Sequence, residues 1–229
     1  KFIAEVIEEN FSDSIDNFLY DLSIHYHVSE NYEKAIEFYE LAGDKFNNLY
    51  DKNKALECYN KILDITTKYN ERLKKYNNNT YYHSIQLKTA AMNVDIGEID
   101  KALSLLNSIE SSNDKINAKK IFLIANIYNI RKNIKTSLVS YKESLELFLK
   151  IDNQVMVHET YRYIGLAYIN VGDFENAFKF LNKSIDYFRA NKNINHLIHS
   201  LDHTGTIFIH QGKFDKAYKY FNEQYELSV

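Results

Sequence analysis

The sequence predicts an all-α fold: a right-handed superhelical solenoid of antiparallel helix pairs, with a repeat of about 40 residues. Three observations carry this. Two stretches near the C-terminus share one pattern, Gly165-Leu-Ala-Tyr168, Gly172-Asp-Phe174, Ala177 and Leu181, then Gly205-Thr-Ile-Phe208, Gly212-Lys-Phe214, Ala217 and Phe221. Self-similarity at a fixed period marks stacked units, each burying one face on the next. The 229 residues contain no Pro, against a usual ~5%, so nothing breaks a helix from within. Gly165 and Gly205 stand mid-helix, where Gly costs about 1 kcal/mol relative to Ala. That placement predicts a second helix in close approach, with Ala177 and Ala217 as its matching small surface.

From the N-terminus, Phe2, Ile3, Val6 and Ile7 open the chain as an amphipathic segment. Ser23, Tyr26, Tyr32, Ala35 and Tyr39 form the first copy of the pattern, and a half-copy at Asn53, Ala55 and Tyr59 follows at only half the usual step. That short step predicts three successive helices sharing neighbours. Lys74-Lys-Tyr-Asn-Asn-Asn-Thr80 is the one biased segment and reads as a loop. The organisation expected is therefore an acidic helical block over 1–76 with one to two degenerate repeats, a loop at 77–80, and four repeats over 81–229, continuous with the first block. The later copies begin with Ala90, Gly97, Ile99, Ala102 and Leu106, with Asn93 where the aromatic belongs, and continue with Ala125, Tyr128, Ile134, Ser137 and Tyr141. Gly97, Gly172 and Gly212 each follow an apolar run and precede a charge, which suits the left-handed residue after a helix C-terminus. The last segment offers Tyr218, Phe221 and Tyr225 at helical spacing with nothing after it to cover them. A weak homodimer through this C-terminal helix is expected. Because the chain starts at Lys1 and ends at Val229 inside amphipathic segments, it is expected to be part of a larger protein.

At 45% hydrophobic and 26% charged residues, the composition is that of a globular chain with a sizeable core. No run approaches the ~18 apolar residues of a membrane span, and no signal-peptide pattern is present. One cysteine, Cys58, cannot make an internal disulfide and reads as helix packing, which fits a cytoplasmic setting. The net charge of −3 is uneven: residues 1–80 carry 10 Lys+Arg against 15 Asp+Glu, and residues 81–229 carry 18 against 16. Neither half has a basic stripe, so nucleic acid is not expected as a partner, and without an apolar span neither is a membrane.

The motifs of catalysis are missing. The six glycines are dispersed, no nucleophile elbow surrounds a serine, and Cys-x-x-Cys and His-Glu-x-x-His spacings do not occur. His196, His199, His203 and His210 lie along one helix with Asp202 beside them. His199 and His203, at i and i+4, have the spacing of shared metal ligands. No Cys or further carboxylate completes the set, so the helix reads as a polar, partly solvated face. No enzyme activity, cofactor or metal is expected.

The repeated residues resemble the tetratricopeptide (TPR) family across roughly residues 14 to 227. The ~40-residue spacing exceeds the family's ~34, and the Pro that commonly ends a repeat is absent, so the helices should run a turn or two longer. The resemblance implies that the first helix of each repeat lines a concave groove. The corresponding positions are Lys119, Phe122, Asn126, Asn129 and Ile130, then Glu159, Arg162, Leu166, Ile169 and Asn170, then His199, Asp202, Thr206, Ile209 and His210. This mixture suits an extended peptide or a partner helix, with Asn126, Asn129 and Asn170 able to donate to and accept from a peptide backbone. Asn126→Ala and Asn170→Ala are expected to weaken binding with little loss of stability. Phe122 and Glu159 stand where the family's carboxylate clamp wants cations, which disfavours a chaperone-tail binder.

The N-terminal block, Leu22-Ser-Ile-His-Tyr26, Tyr32-Glu-Lys-Ala-Ile36, Leu41-Ala-Gly-Asp-Lys45, Lys54-Ala-Leu56 and Tyr59, resembles the connector after the ATPase module of large bacterial signalling ATPases. This implies a non-catalytic scaffold within a multidomain regulator. The alternative implied by long repeats with groove asparagines is a sensor of short signalling peptides, similar to the quorum-sensing receptors of Firmicutes.

Overall fold

The computed structural model describes residues 2–73, 76 and 79–228, leaving aside the side chain of Asp13. Among them are twelve α-helices and one 3-10 helix, and no strand: α1 Phe2–Asn10, the 3-10 helix Ser12–Phe18, α2 Leu19–Val28, α3 Tyr32–Asn48, α4 Lys52–Lys68, α5 Asn79–Asp95, α6 Ile99–Asn107, α7 Asp114–Ile130, α8 Ile134–Lys150, α9 Gln154–Asn170, α10 Phe174–Ala190, α11 Ile194–His210 and α12 Phe214–Ser228. The chain divides into two units, residues 1–116 and 117–229.

The period of the repeat has a simple origin. Each helix from α7 to α11 has 17 residues. Every connection among them has the same short length, as from Ile130 to Ile134 or from Asn170 to Phe174. Equal helices and equal turns make a helix recur at half the period and a pair at the full one. Each connection is a Schellman turn. In the turn after α9, for example, Gly172 N–H donates to the carbonyl of Ile169 and Asp173 N–H to that of Tyr168. The middle residue takes positive φ at Gly97, Gly172 and Gly212, as expected, and also at Glu30, Tyr50, Lys132, Asp152 and Lys192. In five of these turns the next residue caps the following helix: the side chains of Asp51, Asn133, Asn153, Asp173 and Asn193 accept from a backbone N–H three residues on.

Contacts across successive helices run backwards on one as they run forwards on the other. His158 stacks on Tyr187 and Tyr168 on Phe180; Ser184 bonds Ser200 and Phe188 meets His196. The pairs are therefore antiparallel. Their close approach is made where the repeated glycines stand. A Cβ on Gly165 would lie 2.7 Å from Leu181 Cγ and 3.2 Å from the Ala177 carbonyl, and one on Gly205 would lie 2.6 Å from the Phe221 ring. Gly43 does the same against Tyr59 at 2.8 Å. Gly43 thus completes the half-copy at Ala55 and Tyr59, and α3 serves as second helix to α2 and first helix to α4.

In the first unit the core gathers Leu22, Tyr26, Ile36, Tyr39, Ile62, Ile65 and Ile85. Within α1 the buried residue is Ala4, while Phe2 and Ile3 are exposed. Lys34 Nζ reaches Glu8 at 2.6 Å, and Tyr26 Oη also donates to Glu8, tying α1 to α2 and α3. Lys88 of α5 bonds Glu40 at 2.8 Å and Asp44 at 2.7 Å, whose other donors are Tyr81 and Tyr59. Cys58 is fully buried, and burial pushes its thiol up to about 12, so it fills packing space and stays protonated. Of the expected loop at 77–80, Asn79 and Thr80 belong instead to α5, and Asn77 and Asn78 lie outside the described residues.

The second unit stacks α7 to α12 as three pairs, with Tyr141, Phe148, Ile164, Leu181, Phe188 and Leu201 at its centre. The expected stripe on α12 is corrected in one member. Phe221 turns inward against Gly205, while Tyr218 and Tyr225 are exposed together with Phe214.

Candidate partner-binding face

The first helices of the three pairs in the second unit, α7, α9 and α11, lie side by side and parallel. Asn170 Nδ2 donates to Asn129 Oδ1 at 3.0 Å, Arg162 Nη1 lies 3.0 Å from His203 Nε2, and Phe122 meets Tyr163 edge-on at 5.0 Å. In each case the partners stand one repeat plus a residue apart in the chain. A constant offset is what parallel neighbours require, and it places the predicted positions on one contiguous face.

That face is less open than the sequence predicts. Phe122 is buried among Tyr141, Phe148 and Tyr163, so it holds α7 to its neighbours and cannot receive a partner. Asn126 is buried too; its carbonyl oxygen accepts from Tyr141 Oη at 2.6 Å, tying α7 to α8. Asn126→Ala, expected from the sequence to cost little stability, would leave the Tyr141 hydroxyl buried without this acceptor. Asn129 is buried beneath exposed Asn170. Within this pair each amide keeps a further N–H, and Asn170 keeps its carbonyl oxygen.

The centre of the face is an ion pair. Arg162, 6% exposed, donates from Nε to Glu159 Oε2 at 3.0 Å and from Nη2 to Glu159 Oε1, and its guanidinium lies 4.2 Å over the Tyr163 ring. Burial raises the Glu159 carboxyl, but the guanidinium and the nearby histidines outweigh it, and the net shift is downward. His196 Nε2 stands 4.0 Å from the same carboxylate. Burial and Arg162 hold His203 down to about 4, so its neutral ring accepts the Arg162 N–H through Nε2. That engagement leaves the His199 and His203 spacing without a free ligand pair, and no group of three potential metal ligands converges among the described residues. Sequence reasoning misses the partnership of His203: it shows a histidine row on α11, but a contact from another helix decides its use.

The solvated remainder is Lys119, Ile130, Asn170, His199, Ile209 and His210, with Leu166, Ile169, Asp202 and Thr206 half-buried between them. Thr206 Oγ1 donates to the Asp202 carbonyl, and His210 stacks on Phe174 at 5.6 Å. The chemistry on offer is amide, imidazole and isolated aliphatic contact.

The family profile described as Tetratricopeptide repeat matches residues 163–191, from the middle of α9 through α10. No curated protein matches the chain. Among solved structures, the chain is similar to the Rap conjugation gene regulator of the plasmid pLS20 in complex with the Phr* peptide, at 11% identity and TM-score 0.76 over 87% of this chain and 55% of that one. It is similar to BtubC from P. vanneervenii at 18% identity and TM-score 0.62 over 93% and 88% of the two chains. A Rap protein complexed with Competence and Sporulation Factor is similar at 13% identity and TM-score 0.59 over 98% and 79%. At these identities the likeness establishes the fold, an all-α, TPR-like stack of helix pairs.

Proposed function

We propose that this chain is a non-catalytic protein-interaction module that holds an extended peptide or partner helix on the face of α7, α9 and α11. The observation that carries this reading is the row of parallel first helices with the Asn129–Asn170 amide pair and the exposed His199 and His210 along it. Such a row presents hydrogen-bonding groups at repeat spacing, which matches an extended backbone rather than a small substrate. The likeness to two Rap structures, one with the Phr* peptide and one with Competence and Sporulation Factor, favours a short peptide over a helix. A signalling-peptide sensor is therefore the second reading. Placement after an ATPase module in a bacterial regulator rests on the resemblance of the N-terminal block alone.

The diagnostic variant is Asn170→Ala, since Asn170 is exposed on the face. Peptides selected from a random library against the intact chain should lose about tenfold in affinity on this change, the worth of one or two hydrogen bonds. Lys179→Glu on α10, away from the face, should leave affinity unchanged. Peptides that ignore Asn170→Ala and His199→Ala but respond to Lys179→Glu would overturn the assignment of the face.

A further inference from the structure

The first unit contains an open cavity of about 610 Å³ bordered by His27 of α2, Lys61, Asp64 and Lys68 of α4, Tyr69 at the end of α4, and Tyr82 of α5. Its volume is that of a small-ligand pocket. Lys61, Asp64 and Lys68 stand at i, i+3 and i+7, so one face of α4 brings all three to the cavity. Their sign is unusual for the surroundings. Residues 1–80 carry 15 acidic against 10 basic side chains, yet here two ammonium groups meet one carboxylate. Both act on the same point: burial holds the His27 imidazole below its ordinary value, Lys61 and Lys68 lower it further, and Asp64 opposes them. From α3, Tyr39 Oη lies 3.3 Å from His27 Nδ1, and the Tyr32 ring meets the imidazole edge-on. The second ring nitrogen is therefore the one a ligand would meet. Tyr82 Oη, 3.4 Å from Thr67 Oγ1, adds a hydroxyl to the lining.

We infer that this cavity binds the oxyanion group of a small ligand, a phosphate or a carboxylate, between Lys61, Lys68 and His27. Two ammonium groups and an imidazole border one space, and an anion seated among them offsets the cationic repulsion that adds to burial in lowering the imidazole. The rest of the ligand lies along Tyr69 and Tyr82.

The test is an NMR pH titration of the His27 ring in the intact chain, assigned by His27→Gln, in chloride, inorganic phosphate and acetate at matched ionic strength. Binding should raise the apparent pKa of His27 by about one unit in the effective anion. The Lys61→Gln/Lys68→Gln variant should lose that response while keeping its melting temperature. A response to phosphate alone supports a phosphorylated ligand, and a response to acetate as well supports a carboxylate. Identical His27 titrations in all three salts, or an undiminished response in the double variant, would overturn the inference.

Discussion

At the scale of residues, the informative positions are those where a side chain is unusually small or unusually buried. Gly165 and Gly205 are legible in the sequence because glycine inside a helix needs a reason; Leu181 and Phe221 supply it. Gly43 follows the same rule, but its repeat lacks the second glycine, since Tyr50 takes the left-handed position. Arg162 is not legible in this sense. Its helical offset marks a face, and only the fold shows that Glu159 neutralises it while the His203 ring accepts a further N–H. This arrangement predicts a pH dependence. His203 is held at about 4 when folded and has an ordinary value near 6.5 when unfolded. Between those values the unfolded chain binds the extra proton, so stability is full above about 6.5 and falls as pH drops towards 4. The loss over that window should reach about 3 kcal/mol. His203→Gln keeps an acceptor for Arg162 but cannot titrate, so its urea midpoint should decline less between pH 7 and 4. Equal declines would remove His203 from the account.

At the scale of elements, helices of constant length and turns of constant form set the register. The glycine turns are readable, and the asparagine and aspartate caps that follow five of the turns are equally present in the sequence, Asn133, Asn153, Asp173 and Asn193 at one regular spacing. They escape a search keyed on glycine because five turns place a non-glycine residue at positive φ. Such a residue carries a strain of roughly 1–2 kcal/mol. Lys192, at φ 53° in the turn before α11, is exposed and bears this strain. Lys192→Gly should relieve it, offset in part by the extra freedom of glycine in the unfolded chain, and gain about 0.5–1 kcal/mol in chemical denaturation. A loss of stability would mean that the lysine side chain contributes more than its backbone costs.

At the scale of the whole molecule, α12 presents Phe214, Tyr218 and Tyr225 at 67%, 69% and 67% exposure, aromatic area without a cover in this chain. We expect weak self-association through this helix, since exposed apolar area favours a closed two-fold contact. Sedimentation equilibrium at rising concentration should show dimer, and Tyr218→Ser with Tyr225→Ser should abolish it. A strict monomer at millimolar concentration would end this expectation. No helix among the described residues is long and apolar enough to cross a membrane.

The sequence alone determined the helical class, the repeat period, the glycines where a second helix comes close and three of the left-handed turns. Each of these is local or periodic: it depends on what one residue can do in its own backbone setting or on what recurs at a fixed distance. The tertiary structure alone decided which predicted groove residues remain open. Phe122, Asn126 and Arg162 share a helical face with exposed neighbours, and nothing in their spacing distinguishes them from Asn170. They are closed because Tyr163, Tyr141 and Glu159 arrive from other helices or other turns. The cavity beside His27 is of the same kind, since Lys61, Lys68 and Tyr82 border one space only when α2, α4 and α5 come together.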